Sequence, residues 1–215
     1  MPTPRTTPYV WVTWISGLLS GEKSCEWAAW FKAHNTYAKR PSDFDFPAWK
    51  IDHTSLLTTV RDEYRAKGFA VTVEEQNSIK LEGKVGTLAG KPDLIATKGD
   101  SVVVIDTKTG QPRASDTAQV MVYMWALPLA RPNLFKNKRI DGVVAYRINR
   151  GVILADEVDD QFIKRVKDLM VRICGKEPPF TSPSPGECGF CDISSDDCTD
   201  RMEGTDLESV ATDEF

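Results

Sequence analysis

The sequence has few histidines, no long apolar run and an odd number of cysteines. Only two of its 215 residues are histidine. No stretch of 18 apolar residues occurs, so we expect no membrane span and no membrane partner. The first residues lack the apolar core of a secretory signal, which predicts a cytoplasmic protein. Five cysteines without an export signal favour metal binding over a disulfide framework.

An overall excess of positive charge is also missing. The formal net charge is −4, which by itself argues against a nucleic-acid partner. However, residues 192–215 contain nine acidic residues and one arginine, which leaves 26 basic and 22 acidic residues in the remainder. The body of the chain is therefore mildly basic, with a net charge of +4. An acidic end of this kind is typical of a solvated, disordered tail.

Two short apolar segments in the middle of the chain each adjoin a carboxylate. One follows Asp93, and the other, residues 102–105, precedes Asp106. Gly99-Asp100 between them predicts a turn and hence an antiparallel hairpin. The two-residue period of a strand places Asp106 and Lys108 on the same face.

Two carboxylates and a lysine at one end of a sheet suit metal-assisted phosphodiester chemistry. Mg²⁺ and Mn²⁺ prefer oxygen ligands, and a bound metal ion activates water and neutralises charge on a phosphoryl group. An ammonium group can hold the water or the phosphate. The simpler alternative is a surface hairpin on which Asp106 and Lys108 form an ordinary ion pair. The buried character of the preceding apolar run weakens that alternative.

The other segments predict an α/β fold with a mixed central β-sheet flanked by helices. Residues 1–15 predict a loose start and an extended segment, and residues 16–21 a turn. The predicted helices are 25–37 after an N-cap at Ser24, 51–66 before Gly68, 115–130 with Ser115 as N-cap, and one from Asp156 or Asp159 to Cys174. The further strands are 69–73 and 78–81, with a turn near Gln76-Asn77, and a hairpin over 139–154.

Three polar residues on the predicted helices have two interpretations each. His53 is in a first helical turn, where a histidine is more often a core or surface residue than a metal ligand. Gln119 and Tyr123 are four residues apart and share a helix face. They are either an ordinary exposed and half-buried pair or a polar pair that contacts substrate phosphate.

Three of the cysteines form a compact set near the C-terminus. Cys188, Cys191 and Cys198 need a fourth ligand to complete a zinc site or a [4Fe–4S] cluster. Cys174 is nearby in the sequence and on spacing alone would complete a zinc knuckle, whereas Cys25 is 163 residues before Cys188.

Taken in order, these motifs resemble the PD-(D/E)xK nuclease superfamily, with "PD" at Pro92-Asp93 and "DxK" at Asp106-Thr107-Lys108. The RecB-like members have a helical histidine before PD and a Q-x-x-x-Y helix after DxK, which match His53 and the Gln119–Tyr123 pair. The resemblance implies a restriction-endonuclease-like core. In it, His53, Asp93, Asp106 and the Thr107 carbonyl would hold Mg²⁺ or Mn²⁺, and Lys108 would position water. Gln119 and Tyr123 would then place the DNA strand.

Within the RecB-like group the chain resembles the CRISPR-associated Cas-four exonucleases and the AddB-type subunits. These have one cysteine before the nuclease core and three after it, near C-x-x-C-x5-C. The resemblance therefore implies a [4Fe–4S] cluster on Cys25, Cys188, Cys191 and Cys198, which would join the two ends of the chain and leave Cys174 as a spare thiol. Two departures are a last gap of six residues and an aspartate, Asp106, where many relatives have glutamate.

The resemblance predicts a Mg²⁺- or Mn²⁺-dependent exonuclease that acts on single-stranded DNA ends or overhangs. It implies prespacer trimming in CRISPR adaptation beside integrase proteins. The alternatives are a phage or DNA-repair exonuclease, a non-catalytic DNA-end-binding adaptor, and a zinc-binding interaction protein that uses Cys174 with the three later cysteines. The expected organisation is an N-terminal helical segment 1–50, a nuclease core 51–175, a cysteine-rich segment 176–200 and an acidic tail 201–215.

Overall fold

The fold is that of a computed structural model that describes residues 1–202. The predicted acidic tail falls mainly on residues 203–215, outside the described residues. The helices are α1 Val12–Ser20, α2 Glu26–His34, α3 Phe46–Ala66, α4 Ala114–Ala130, α5 Pro132–Phe135, α6 Asp160–Ile173 and α7 Pro185–Gly189. The strands are β1 Thr3–Pro4, β2 Tyr9–Trp11, β3 Asn35–Thr36, β4 Ala70–Val73, β5 Ile79–Glu82, β6 Thr87–Gly90, β7 Leu94–Lys98, β8 Ser101–Lys108, β9 Arg139–Tyr146 and β10 Arg150–Ile153.

The central sheet has the strand order β10-β9-β8-β7-β4 and is mixed, as predicted. The β7–β8 hairpin is antiparallel, with Leu94 opposite Ile105. Its turn contains Gly99 at a φ of +59°, a backbone conformation that glycine adopts without a steric penalty. In contrast, β8 pairs with β9 in parallel. The mixed α/β architecture agrees with the restriction-endonuclease-like fold expected from the sequence.

Helices cover both faces of this sheet and bury different apolar clusters. On one face, α3 packs Leu56, Leu57 and Val60 against Leu94 and Ile105. On the other face, α4, α1 and α6 pack on the sheet through a larger cluster; its members include Val102, Val104, Val120, Leu127, Val166 and Ile15. Complete burial of a Val, Leu or Ile side chain stabilises the folded state by about 1.5–3 kcal/mol. Successive residues of β8 therefore point into different layers, and this alternation continues to the end of the strand.

A second sheet, of order β2-β6-β5, lies before the hairpin in the chain. Segments 69–73 and 78–81 form strands close to the predicted bounds, but β4 and β5 belong to different sheets. Between them, the buried side chain of Asn77 donates hydrogen bonds to the carbonyl oxygens of Pro92 (3.1 Å) and Asp93 (3.2 Å). Asn77 thereby fixes the chain that leads into Asp93.

The prediction of a turn over residues 16–21 was wrong, because Val12–Ser20 is helix α1. Gly17 and two polar side chains suggested a turn. In the structure Val12 and Ile15 are buried, and α1 packs closely on α4. Tertiary packing of an apolar face commonly outweighs weak intrinsic helix propensity.

Several predicted helix starts also differ from the structure. Helix α3 begins at Phe46 rather than at residue 51, because Asp45 caps it and Pro47 is tolerated in a first turn. Ile51, the predicted first residue of this helix, is 73% exposed. Neither Ser24 nor Ser115 acts as an N-cap, since α2 begins after Cys25 and α4 begins after Arg113.

The last long helix agrees with one of its two predicted starts. Asp159 caps α6 by accepting the N–H of Phe162 at 2.7 Å. Within residues 1–202, no helix combines the length and apolar character needed to cross a membrane.

Candidate functional site

The C-terminal end of β8 brings the predicted site residues into two neighbouring groups. Asp106 and Lys108 point toward α4, and Thr107, between them, points toward α3. This separation follows from the two-residue period of a strand with a helix on each side. The site is therefore built around three consecutive residues of one buried strand.

Asp93 organises the group on the α3 side. Its Oδ2 accepts hydrogen bonds from the backbone N–H of Thr107 (2.7 Å) and from the Thr107 hydroxyl (2.6 Å). His53 Nε2 lies 3.1 Å from the same oxygen and 3.0 Å from the hydroxyl. Burial raises the pKa of Asp93, but the bonds from His53 and Thr107 outweigh burial and lower it. The hydrogen bond to Asp93 in turn raises the pKa of His53.

Gln119 organises the group on the α4 side. Its Nε2 donates to Asp106 Oδ1 (3.0 Å) and lies 3.2 Å from the hydroxyl of Tyr123. Its Oε1 accepts from Lys108 Nζ (3.0 Å), which also lies 2.7 Å from Asp106 Oδ2. The buried amide therefore holds the ammonium and the carboxylate in one fixed arrangement.

Burial and charge act strongly on this second group. Asp106 is 3% exposed, and burial together with the charge of Asp93 raises its pKa to about 6 despite Lys108. Burial lowers the pKa of Lys108, but the charge of Asp106 outweighs burial and raises it. The negative charges of Asp93 and Asp106 repel each other, and a cation bound between them would relieve this repulsion.

The structure adds two residues that the sequence did not single out. Asp116 Oδ1 lies 3.8 Å from Lys108 Nζ, and its Oδ2 accepts from the hydroxyl of Tyr146 at 2.9 Å. Burial and the bond to Asp116 raise the pKa of Tyr146 to about 12. Asp116 lies three residues before Gln119, so helical spacing could have placed it on the same face.

Both groups line one cavity of about 610 Å³. The carboxylate oxygens and the imidazole nitrogen at its wall are donor atoms of the kinds that bind divalent metal ions. Among residues 1–202, however, no three or more His, Cys, Asp or Glu side chains are arranged so that they could hold a metal ion. Asp93 is bonded to Thr107, and Asp106 to Lys108 and Gln119. Metal binding therefore requires some of these hydrogen bonds to be exchanged for coordination.

Four of the five cysteines line a second cavity, of about 90 Å³: Cys25, Cys188, Cys191 and Cys198. Burial raises the pKa of the Cys198 thiol, and the other three thiols raise it further. Cys174 is elsewhere, buried in the apolar core, where a Cβ atom on Gly86 would lie 2.8 Å from its Sγ. Four thiols have the chemistry of the ligands of a thiolate-bound metal group. In the part of the chain that the structure describes, however, they are not arranged so that three or more of them could hold a metal ion. The structure thus places Cys25, and not Cys174, with the C-terminal three.

Polar contacts fasten the two ends of the chain at this second cavity. Glu187 accepts hydrogen bonds from the backbone N–H (2.8 Å) and hydroxyl (2.7 Å) of Ser24 and from the N–H of Cys25 (3.3 Å). Arg201 donates to the carbonyl oxygens of Cys191 (3.2 Å) and Ile193 (2.7 Å). Hydrogen bonds of Glu187 and Arg201 therefore hold the cysteine-rich segment in place next to Ser24 and Cys25.

A comparison with protein-family models identifies the class of protein. A family model of the PD-(D/E)XK nuclease superfamily matches residues 21–195, and the chain belongs to this superfamily. Nucleases of this superfamily use divalent metal ions and act on DNA. The match crosses the boundaries predicted at residues 50 and 175, which stay a prediction.

Other comparisons add less. No curated protein matches the chain. The crystal structure of SSO0001 is similar over 88% of this chain and 85% of that chain, with 15% sequence identity and a TM-score of 0.44.

Proposed function

We propose that the protein is a metal-dependent DNA exonuclease with its active centre at the end of β8. The observation that best supports this proposal is the contact of Lys108 with both Asp106 and Gln119, beside Asp93 and His53. An ammonium, two carboxylates and an imidazole at one cavity are groups that can bind a divalent metal ion and position water for hydrolysis of a phosphodiester. Membership of the nuclease superfamily gives independent support.

In this proposal Asp93, Asp106, His53 and the carbonyl of Thr107 would hold Mg²⁺ or Mn²⁺, which when bound would activate water and neutralise charge on the phosphate. Lys108 would position the attacking water through its ammonium, which Gln119 keeps in place. Tyr123, bonded to Gln119, helps to place the strand. Asp116, which lies 3.8 Å from Lys108 Nζ and accepts a hydrogen bond from Tyr146, adds a further negative charge beside this ammonium.

The finer proposal is an enzyme of the Cas-four type that shortens single-stranded ends. A [4Fe–4S] cluster held by Cys25, Cys188, Cys191 and Cys198 belongs to this proposal, and the common cavity of these four cysteines supports it. Prespacer trimming beside CRISPR integrase proteins is the corresponding role. A phage or repair exonuclease would use the same chemistry with other partners.

The test is a nuclease assay on end-labelled single-stranded DNA with anaerobically purified protein. We expect Mn²⁺-dependent shortening that EDTA stops and that Lys108→Ala reduces by about 100-fold or more. Lys164→Ala is the matched control, because Lys164 pairs with Asp168 on the exposed face of α6. A circular single strand should stay intact if ends are required.

The outcomes separate the candidate functions. Cleavage that Lys108→Ala leaves unchanged would reject this active centre. A folded protein that binds DNA ends in Mn²⁺ without cutting them would favour the adaptor instead.

A further inference from the structure

A series of aromatic rings leads from the candidate active centre to the protein surface. The ring of Trp49 stacks on His53, with centroids 4.8 Å apart. The ring centroids of Phe46 and Phe44 lie 5.4 Å and 6.2 Å from that of Trp49. Since His53 contacts Asp93, the series begins at the site itself.

The outer rings of this series are not part of the apolar core. Phe44 is 59% exposed and Phe46 is 55% exposed. The core contacts of α3 come from Leu56, Leu57 and Val60, farther along the helix. Neither phenylalanine is therefore required for packing, and exposed rings grouped beside a cavity indicate a binding surface.

The positions of these residues direct the rings into the cavity. Phe46, Trp49, Lys50 and His53 have the spacing i, i+3, i+4, i+7, which forms one face of a helix. All four line the cavity that also contains Asp93 and Lys108. Within the part of the chain that the structure describes, Lys50 forms no ion pair, so its ammonium is available for a phosphate.

We propose that Phe44, Phe46 and Trp49 form a stacking platform for unpaired DNA bases, with Lys50 on the adjoining phosphates. The inference rests on the proposed function, and it assigns the residues that select the substrate. Bases stack on aromatic side chains with little sequence preference. In a duplex each base face is already covered by its neighbours. The platform therefore selects single-stranded ends over paired ones.

A protein partner is a less favoured occupant of the same surface. The rings continue without interruption into a cavity lined by Lys108, Asp93 and His53, which suits a strand that passes from base contacts to the scissile phosphate. An apolar protein partner would offer no negative charge to Lys50, which lies on the same helix face as the rings, whereas a phosphate backbone would.

The test compares binding of two labelled probes in EDTA, where cleavage is stopped. One probe is a short oligothymidine, and the other is an abasic backbone of the same length. We expect the wild type to prefer the oligothymidine, and Phe44→Ala with Phe46→Ala to lose at least about fivefold of that affinity with little change for the abasic probe. The double Tyr replacement keeps the rings and should bind as the wild type does.

Phe180→Ala is the matched control, because Phe180 is 95% exposed and, among the described residues, neither lines this cavity nor has a ring contact with Trp49, unlike Phe44 and Phe46. Equal oligothymidine affinity in the double Ala variant would overturn the inference. An equal loss of affinity for both probes would also overturn it, as would a double Ala variant that changes only the self-association of the protein and not its DNA affinity. The nuclease assay on the same variants distinguishes two failures. Wild-type cleavage with an unaffected double Ala variant rejects only the platform, whereas no binding and no cleavage by the wild type rejects the proposed function as well.

Discussion

A Cβ atom on Gly90 would overlap with Cε1 of Tyr123. Strand β6 and helix α4 therefore meet with no room for a side chain at residue 90. The Tyr123 ring is buried and cannot move aside without disturbing the core. Two residues after Gly90 the chain enters Pro92-Asp93, so this close approach restricts both Tyr123 and the segment that leads into the proposed active centre.

We expect Gly90→Ala to destabilise the protein by about 1–3 kcal/mol, because overpacking a buried contact forces side chains off their preferred rotamers. Cleavage should fall as well, since Tyr123 and Asp93 would both shift. Urea unfolding measures the first effect. Gly186→Ala is the control, because a Cβ there meets nothing within 4 Å. Equal stability of the two variants would contradict the close contact.

Gln119→Leu should lower both stability and cleavage. The substitution removes hydrogen bonds to Asp106, Lys108 and Tyr123 from a buried site. A buried polar group left without its partner destabilises the fold by about 1–3 kcal/mol. Met121→Leu on the same helix keeps its volume and serves as the control, with an expected effect below about 1.5 kcal/mol. Full activity of Gln119→Leu would show that Lys108 needs no such support.

The proposed cluster predicts different effects for two cysteines. Cys25→Ser should remove iron and visible absorbance, because Cys25 lines the cavity of the C-terminal three. Cys174→Ser should retain both, because Cys174 is packed in the apolar core, where burial raises its pKa to about 11. Iron analysis and absorbance spectra of anaerobic protein measure the difference. Loss of metal in Cys174→Ser alone would favour the zinc knuckle.

His34 should make stability depend on pH. Its Nε2 is buried and has no hydrogen-bond partner among the described residues, and its ring stacks on Trp30 at 4.7 Å. Burial lowers the pKa of His34 below the ordinary value of 6.5, so the unfolded chain binds the proton more readily than the folded one. Stability that is present above about pH 6.5 is therefore lost as the pH falls toward the lower, folded pKa.

Replacement of His34 by Phe isolates this effect. His53 has the opposite tendency, because Asp93 raises its pKa, so the comparison must be made between the variant and the wild type. We expect the unfolding free energy of His34→Phe to decline less than that of the wild type between about pH 7.5 and about pH 5. Urea titrations at each pH measure these free energies. If the free energies of the two proteins changed equally with pH, the pKa of His34 would be the same in the folded and unfolded states.

The local parts of this fold were accessible from the sequence. The apolar run before Asp106 and the Gly99 turn predict the hairpin, and one of the two predicted starts of the last long helix, Asp159, is the N-cap of α6. The set of candidate site residues followed from strand period, helix period and the resemblance to a nuclease family. The structure brings His53, Asp93, Asp106, Lys108 and Gln119 to one cavity.

The remainder depended on contacts between distant parts of the chain. Helix α1 forms because it packs on α4, and no pattern within residues 12–20 indicates that partner. The parallel pairing of Tyr9 with Thr87 is likewise a tertiary choice. Thr107 separates the site into two groups only because a helix covers each face of the sheet, and the sequence does not show which helix lies on which face. Spacing alone cannot choose between Cys25 and Cys174, because the choice depends on how the chain ends meet.

The bonds between Ser24 and Glu187 join residues that are 163 positions apart in the sequence. A ribosome adds about 5–20 residues each second, so about 8–33 s pass between the synthesis of the two partners. During that interval Cys25 has been made but its cavity cannot close. The assembly of the cysteine cavity is therefore a late event in the biosynthesis of this chain, later than the β7–β8 hairpin and the strand that contains Lys108.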